Sequence, residues 1–177
     1  MQPRGPLMIE HRLIERMIAL IKKEIERLQE SSTANPVFID TAVDFIRTYA
    51  DRTHHGKEED ILFRVLAKKD MSSKDKKIMD ELVQEHVFGR KTVGELVKAK
   101  EMHFMGDQKA LGIVIHKLSV IVDFYPKHIE KEDQIFFPAA MEYLSREEQQ
   151  EMLQKFLEFD RRMIHEKYKA VVEDMGK

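Results

Sequence analysis

The sequence predicts an all-α fold: an up-down-up-down four-helix bundle with an additional C-terminal helix. Three observations lead there. Apolar residues return at steps of three and four through five long stretches, the period of one helix face. Only 7 Gly and 5 Pro punctuate 177 residues, and helix formers such as Glu, Lys, Leu, Ile and Met are plentiful. Helix-capping residues stand in the gaps between the stretches. The length suits one domain over 1–177, with the bundle over 7–144 and an accessory helix over 145–177.

The first helix is expected from about Leu7 to Glu30. Leu7, Ile14, Ile18, Ile21, Ile25 and Leu28 mark its apolar face, and the seat missing from that series is His11. A loop over 31–35 follows, with Asn35 as N-cap and Pro36 at the first helical position. The second helix then runs to about Lys69, and its stripe Val43, Ile46, Ala50, His54, Glu58, Ile61, Val65 carries a histidine and a glutamate inward. Ser72 and Asp75 form a capping box that opens the third helix. There Met79, Leu82, His86, Gly89, Val93 and Leu96 share a face, Gly89 leaving room beside His86, and the helix ends near His103 to Gly106.

The fourth helix begins near Asp107 or Gln108. Leu111, Val114, Leu118, Ile121, Tyr125, His128, Glu132 and Ile135 line its inner face. Pro126 removes a donor and should bend it just before His128, and Pro138 should end its main run, with a kinked continuation over Ala139 to Leu144 as the alternative. Ser145 and Glu148 form the last capping box. The fifth helix follows to about Asp174, with Leu153, Phe156, Leu157, Ile164, Tyr168 and Val171 on its apolar side.

Composition excludes several classes. Charged residues make up 35% but balance to a formal −2, which argues against a nucleic-acid footprint. With no Cys there is no disulfide, thiolate zinc site or cysteine-held cluster. No signal-peptide pattern and no bilayer-length apolar run are present, so a soluble cytoplasmic protein without membrane contact is expected.

The chemistry lies in one device written twice. HHGKEEDILF contains His54-x-x-x-Glu58, and HIEKEDQIFF contains His128-x-x-x-Glu132. Four residues is one helical turn, so each imidazole stacks over its carboxylate on one face. Each bundle helix places one histidine inward, so His11, His54, His86, His128, Glu58 and Glu132 converge in the interior. Burying that set without a partner is costly, and the donors suit two divalent transition metals, iron foremost. The carboxylates, having two oxygens each, would bridge; the imidazoles would be terminal.

Other residues have a bland reading beside a sharp one. His55 and Glu59 repeat the spacing about 100° away, which makes them solvent-facing or supporting residues. Glu15 could join the site but reads better as a surface partner of Lys or Arg. Asp133 could replace Glu132 from a poorer direction. His165 could cap the site from outside, although a packed or surface histidine is the plainer reading. His103 and His116 lie off the stripes. Tyr49 and Tyr125 are inward, as core packing or as hydrogen-bonding support to the histidines.

These segments together — EHRLIER, HHGKEEDILF, EHVFGR and HIEKEDQIFFP — resemble the hemerythrin-like family, also called the HHE cation-binding domain, over about positions 7 to 140. The resemblance implies a non-haem centre of two iron ions, joined by an oxo or hydroxo bridge, that binds dioxygen, nitric oxide or peroxide. Oxygen carriers of the family have a second histidine one turn after the third-helix ligand, where this chain has Arg90. Their last carboxylate is an Asp five residues after its His, whereas Glu132 comes at four. The expected ligand set is therefore poorer in nitrogen, with an open position at the metal near Arg90. Reduced protein should then be oxidised by oxygen instead of carrying it. A binding or sensing protein is the leading reading. A di-iron oxidase, peroxidase or nitric oxide-handling enzyme, or an iron-handling protein, uses the same ligands. Iron–sulfur repair ranks lower because such relatives typically carry a cysteine-bearing segment. The intact ligand set argues against a module that has lost its metal.

Overall fold

Five helices in sequence build the chain. The computed structural model describes residues 1–31 and 33–175, and of residues 168, 170, 171 and 173–175 the backbone alone. Helix α1 is Arg4–Ser31. Helix α2 spans 36–66 and changes winding along its length. It is α-helical over Pro36–Phe45, π-helical over Ile46–His55 and again over Glu58–Phe63, and α-helical over Arg64–Leu66. Helix α3 is Ser73–Phe104. Helix α4 spans 110–142, with a π-helical turn, Glu132–Phe136, between Ala110–Lys131 and Phe137–Glu142. Helix α5 is Arg146–Met175. No strand occurs among the described residues, and no helix is long and apolar enough to cross a membrane.

The caps form as the sequence implies. Asn35 accepts from the Phe38 amide at 3.1 Å, with Pro36 in the first turn. Ser145 and Glu148 cap reciprocally, at 3.2 Å and 2.9 Å. The box at Ser72 is half replaced. Its hydroxyl accepts from the Asp75 amide at 3.1 Å, but the Ser72 amide donates to the Tyr143 hydroxyl, which itself donates to Asp75. A long-range tyrosine thus stands where the local side chain would.

Helices α1 and α3 each pack against both α2 and α4, which closes the four-helix bundle, and α5 lies on the π-helical stretches of α2. Two apolar blocks fill the bundle. One contains Ile14, Ile18, Ile21, Val93, Leu96, Leu118 and Ile121. The other contains Leu7, Leu62, Leu66, Leu82, Phe136 and Phe137. On α1 the block changes between Leu7 and Ile14, and His11 stands at that boundary.

Three expectations are corrected. Pro138 does not end α4: it follows directly on the π-helical turn Glu132–Phe136, and the helix runs on through Phe137–Glu142, the continuation left open for Ala139 to Leu144. The apolar side of α5 is not the one its spacing implies. Leu157 and Ile164 are exposed, whereas Met152, Phe156 and Phe159 are buried, because α5 rests on α2 along a narrower line than a bundle helix would. The side chains of Tyr168 and Val171 lie outside the described residues. Gly89 faces Phe124 and not His86: a Cβ there would meet the phenyl ring at 3.5 Å. Helix α4 runs through Pro126, which lies on its exposed side where the freed carbonyl can take water.

Candidate metal centre

The layer between the two blocks is polar. His11, His54, His86, His128, Glu58 and Glu132 are all buried, none more than 2% exposed. So is His55, at 2%, which overturns the solvent-facing reading and leaves the supporting one. The reason is the winding of α2. In an α-helix His54 and His55 would diverge by about 100°. The π-helical register widens the turn and narrows the angle between consecutive residues, so both imidazoles enter the interior. The His55 ring stacks on His86 at 3.9 Å and meets His128 edge-on at 5.4 Å.

The donor atoms fall into two groups. One nitrogen of each of His55, His86 and His128 lies within 4.8 Å of the others, and so do atoms of His11, His54, Glu58 and Glu132. The carboxylates connect the groups. Glu58 Oε1 is 3.5 Å from His54 Nε2, while its Oε2 is 3.4 Å from His86 Nε2. Glu132 Oε2 is 3.1 Å from His11 Nε2, while its Oε1 is 3.4 Å from His128 Nε2 and 3.7 Å from His86 Nε2.

None of these atoms makes a hydrogen bond within the protein. Among the described residues, the buried side-chain atoms without a hydrogen bond are Nε2 of His11, His54, His86 and His128, Nδ1 of His55, and both oxygens of Glu58 and Glu132. Beyond this layer His103 Nδ1 and Asp160 Oδ1 also make no hydrogen bond, although Asp160 Oδ1 is ion-paired with Lys57 at 2.7 Å. Buried polar atoms are rarely left so, because each costs its desolvation. Here they face one another with nitrogen and carboxylate oxygen donors, a set that fits borderline metal ions such as iron.

The outer nitrogens are, by contrast, tied down in a ring that runs around the bundle. Each of four histidines donates Nδ1–H to a carboxylate from the preceding helix. His11 uses Asp133 of α4 at 2.7 Å, His54 uses Glu10 of α1 at 2.8 Å, His86 uses Glu59 of α2 at 2.6 Å, and His128 uses Glu85 of α3 at 2.8 Å. A cation on the histidine's own helix then holds each carboxylate: Arg12, Lys57, Arg90 and Lys131 in that order. Such partners fix the ring orientation and leave Nε2 as the inward donor. His55 stands outside the ring. The Asp51 carboxylate lies 3.5 Å from its Nδ1, too far for a hydrogen bond.

Protonation in the metal-free layer follows from burial and charge. Burial pulls the His11 imidazolium down, but the hydrogen bond it donates to Asp133 and the nearby Glu132 outweigh it and raise the pKa to about 9. His86 is raised for the same reason, with Glu132 and Glu59 against burial. Burial dominates at His54, lowering it to about 4 despite Glu10. It also dominates at His55, which its histidine neighbours push further down. Glu58 is driven up by burial and by the charge of Glu132, whereas the imidazoles of His128, His11 and His86 hold Glu132 ionised against its own burial. One carboxylate of the pair thus keeps a proton until something displaces it.

The remaining sequence candidates fall elsewhere. Glu15 is on the surface, paired with Arg12 at 3.0 Å. Asp133 acts through His11. Arg90 points outward to Asp51 and Glu59. His165 and His116 are exposed. Tyr125 is buried, with its ring stacked 6.5 Å from His55, and Tyr49 is half-buried beneath α5. Beside the nitrogen-poor set expected near Arg90, the structure places His55 as a third imidazole next to His86 and His128. Of the outer carboxylates, sequence reasoning named Glu59 as a possible supporting residue and Asp133 only as a possible replacement for Glu132, and it missed Glu10 and Glu85. Their signal was present: Glu10, Glu59, Glu85 and Asp133 are each next in sequence to an inward histidine or glutamate.

A family model described as the hemerythrin HHE cation binding domain matches residues 5–140. An uncharacterized protein of Mycobacterium bovis is 24% identical over 171 residues, which is 96% of this chain and 66% of that relative. An uncharacterized protein of Mycobacterium tuberculosis matches with the same figures, 24% over 171 residues, 96% and 66%. The chain therefore spans 66% of the length of these curated relatives. No solved structure matches at a significant level.

Proposed function

The chain belongs to the hemerythrin HHE cation-binding family, and from that premise we propose that it is a non-haem di-iron protein that binds or senses dioxygen, nitric oxide or peroxide. The observation that carries the reading is the division of unpartnered donors into two groups joined by both carboxylates. His55, His86 and His128 would hold one iron and His11 and His54 the other. Glu58 and Glu132 would each give one oxygen to either side. Bound there, iron would supply a redox-active Lewis acid with affinity for small oxygen and nitrogen-oxide ligands.

The chain's own residues make the two positions unequal. The first has three imidazoles and two carboxylate oxygens, the second two imidazoles and two oxygens. The position with fewer donors is thus the one at His11 and His54, and not the one nearest Arg90. Phe137, stacked 5.7 Å from His11, and the apolar block behind it keep bulk water from that side. A small ligand would enter a largely dry, preformed layer.

Metal analysis of purified protein, paired with spectra in air and after reduction, tests the reading. Two irons per chain are expected, with near-ultraviolet charge-transfer absorption in the oxidised form that azide or nitric oxide changes. Protein that stays metal-free after growth in iron-rich medium would end the di-iron reading. Two irons with spectra indifferent to every small ligand would end the ligand-binding part.

A further inference from the structure

Of the four cations in the ring around the histidines, Lys57 alone is fully buried: it is 0% exposed, against 56% for Arg12, 39% for Arg90 and 27% for Lys131. Helix α5 covers it. Asp160 of α5 lies 2.7 Å from Lys57 Nζ, and the Phe156 ring 5.8 Å away. Phe159 of the same helix sits directly on Gly56, where a Cβ would come within 2.8 Å of the ring. A continuous path therefore joins α5 to an inward histidine. Asp160 pairs with Lys57, Lys57 with Glu10, and Glu10 accepts from His54 Nδ1 at 2.8 Å. The matched family model stops at 140, so this path enters the bundle from outside the domain.

We infer that α5 is a latch on one of the two metal positions, with Asp160 a positioning residue that orients His54 through Lys57 and Glu10. The physical reason is charge sharing. Glu10 serves two donors at once, the Lys57 ammonium and the His54 imidazole. A buried ammonium needs more than half a carboxylate. With Asp160 present, Lys57 has a second anion and Glu10 keeps one oxygen for His54. Without Asp160, Lys57 draws on both oxygens of Glu10, and His54 loses the bond that fixes its ring and directs Nε2 inward. The other three histidines have no such dependence, since their cations reach solvent. The inference rests on the reading of His54 as a metal ligand.

The test uses the full chain with Asp160→Asn, Asp160→Glu, Gly56→Ala and, as a control on the same helix, Glu166→Gln. Two readouts are needed: the imidazole nitrogen resonances of the metal-free protein by NMR, and iron retention against a competing chelator. Asp160→Asn should shift the His54 Nδ1 resonance and leave that of His128 in place. It should also release one of the two irons at about tenfold or more lower chelator concentration, the size typical of outer-sphere changes. Gly56→Ala lifts Phe159 without touching the ion chain and should do the same. Asp160→Glu should restore both readouts, and Glu166→Gln should match the parent. An unmoved His54 resonance in both Asp160→Asn and Gly56→Ala, or equal weakening of the two irons, overturns the latch; where one variant does not fold, the other decides. If the parent protein binds no iron, the ligand reading falls by itself, and the His54 resonance still decides whether the path exists.

Discussion

Glu132 turns one oxygen to His11 and the other to His128 and His86, at 3.1, 3.4 and 3.7 Å. No other side chain could serve both groups from that place, since a neutral imidazole offers one lone pair. Glu132→Ala is therefore expected to lose the paired binding and leave at most one weakly held metal, as read by metal analysis and absorption; a full pair with unchanged spectra would show that it does not bridge. His55 supports a sharper expectation. If it is a ligand, His55→Ala should weaken one metal by more than the ~10–100-fold that outer-sphere changes cause. If it is only packed on His86, the metals should be untouched and only stability should fall. Chelator competition and a denaturant titration on the same sample separate the two.

At the scale of elements, both His-x-x-x-Glu motifs meet a change of winding. Glu58 opens the π-helical stretch Glu58–Phe63, and Glu132 opens Glu132–Phe136. The wider turns let consecutive carboxylates take two directions: Glu58 faces in while Glu59 reaches His86, and Glu132 faces in while Asp133 reaches His11. Helix ends are governed more locally. The reciprocal bonds between Ser145 and Glu148 hold the start of α5. Ser145→Ala should cost about 1 kcal/mol. A urea unfolding midpoint lowered at constant slope would register it, and an unchanged midpoint would mean that packing of Met152 and Phe156 holds the helix start without the cap.

For the whole molecule, the unpartnered layer ties stability to pH and to metal. In the metal-free protein His11 has its pKa raised from 6.5 to about 9. Its contribution is complete below 6.5 and is lost as pH rises through about 9. His54 is lowered from 6.5 to about 4, so the unfolded chain takes a proton that the fold refuses. That contribution is present above 6.5 and is lost as pH falls through about 4. Melting temperatures of metal-free protein should thus decline on both sides of a mid-range optimum. Metal must also displace the protons on His11 and on the Glu58–Glu132 pair. Uptake near neutrality should release protons and tighten as pH rises toward 9. Calorimetry in buffers of different ionisation enthalpy measures the release; heats independent of buffer would contradict the protonation described. Loaded protein should melt higher than metal-free protein, since only the folded state assembles the donors.

The sequence by itself determined the helices, their caps and the inward placement of His11, His54, His86, His128, Glu58 and Glu132. All of these follow from one local rule, the angular step of an α-helix, applied to apolar stripes that identify the buried face. It also held the duplicated His-x-x-x-Glu motif, whose two copies meet in one buried layer. Only the tertiary structure decided that His55 turns inward, that Tyr143 completes the cap at Ser72, and that Glu10, Glu59, Glu85 and Asp133 close a ring around the bundle. The physical reason is that nothing local in 46–63 distinguishes a π-helical from an α-helical register. The two differ in which side chains reach the interior, and that difference acquires free energy only when His86, His128 and the covering helix α5 are there to pack against. An outer-sphere bond likewise joins residues more than forty positions apart in most of the ring, as His54 to Glu10 and His11 to Asp133. Such pairs exist only once helix packing has chosen which faces meet.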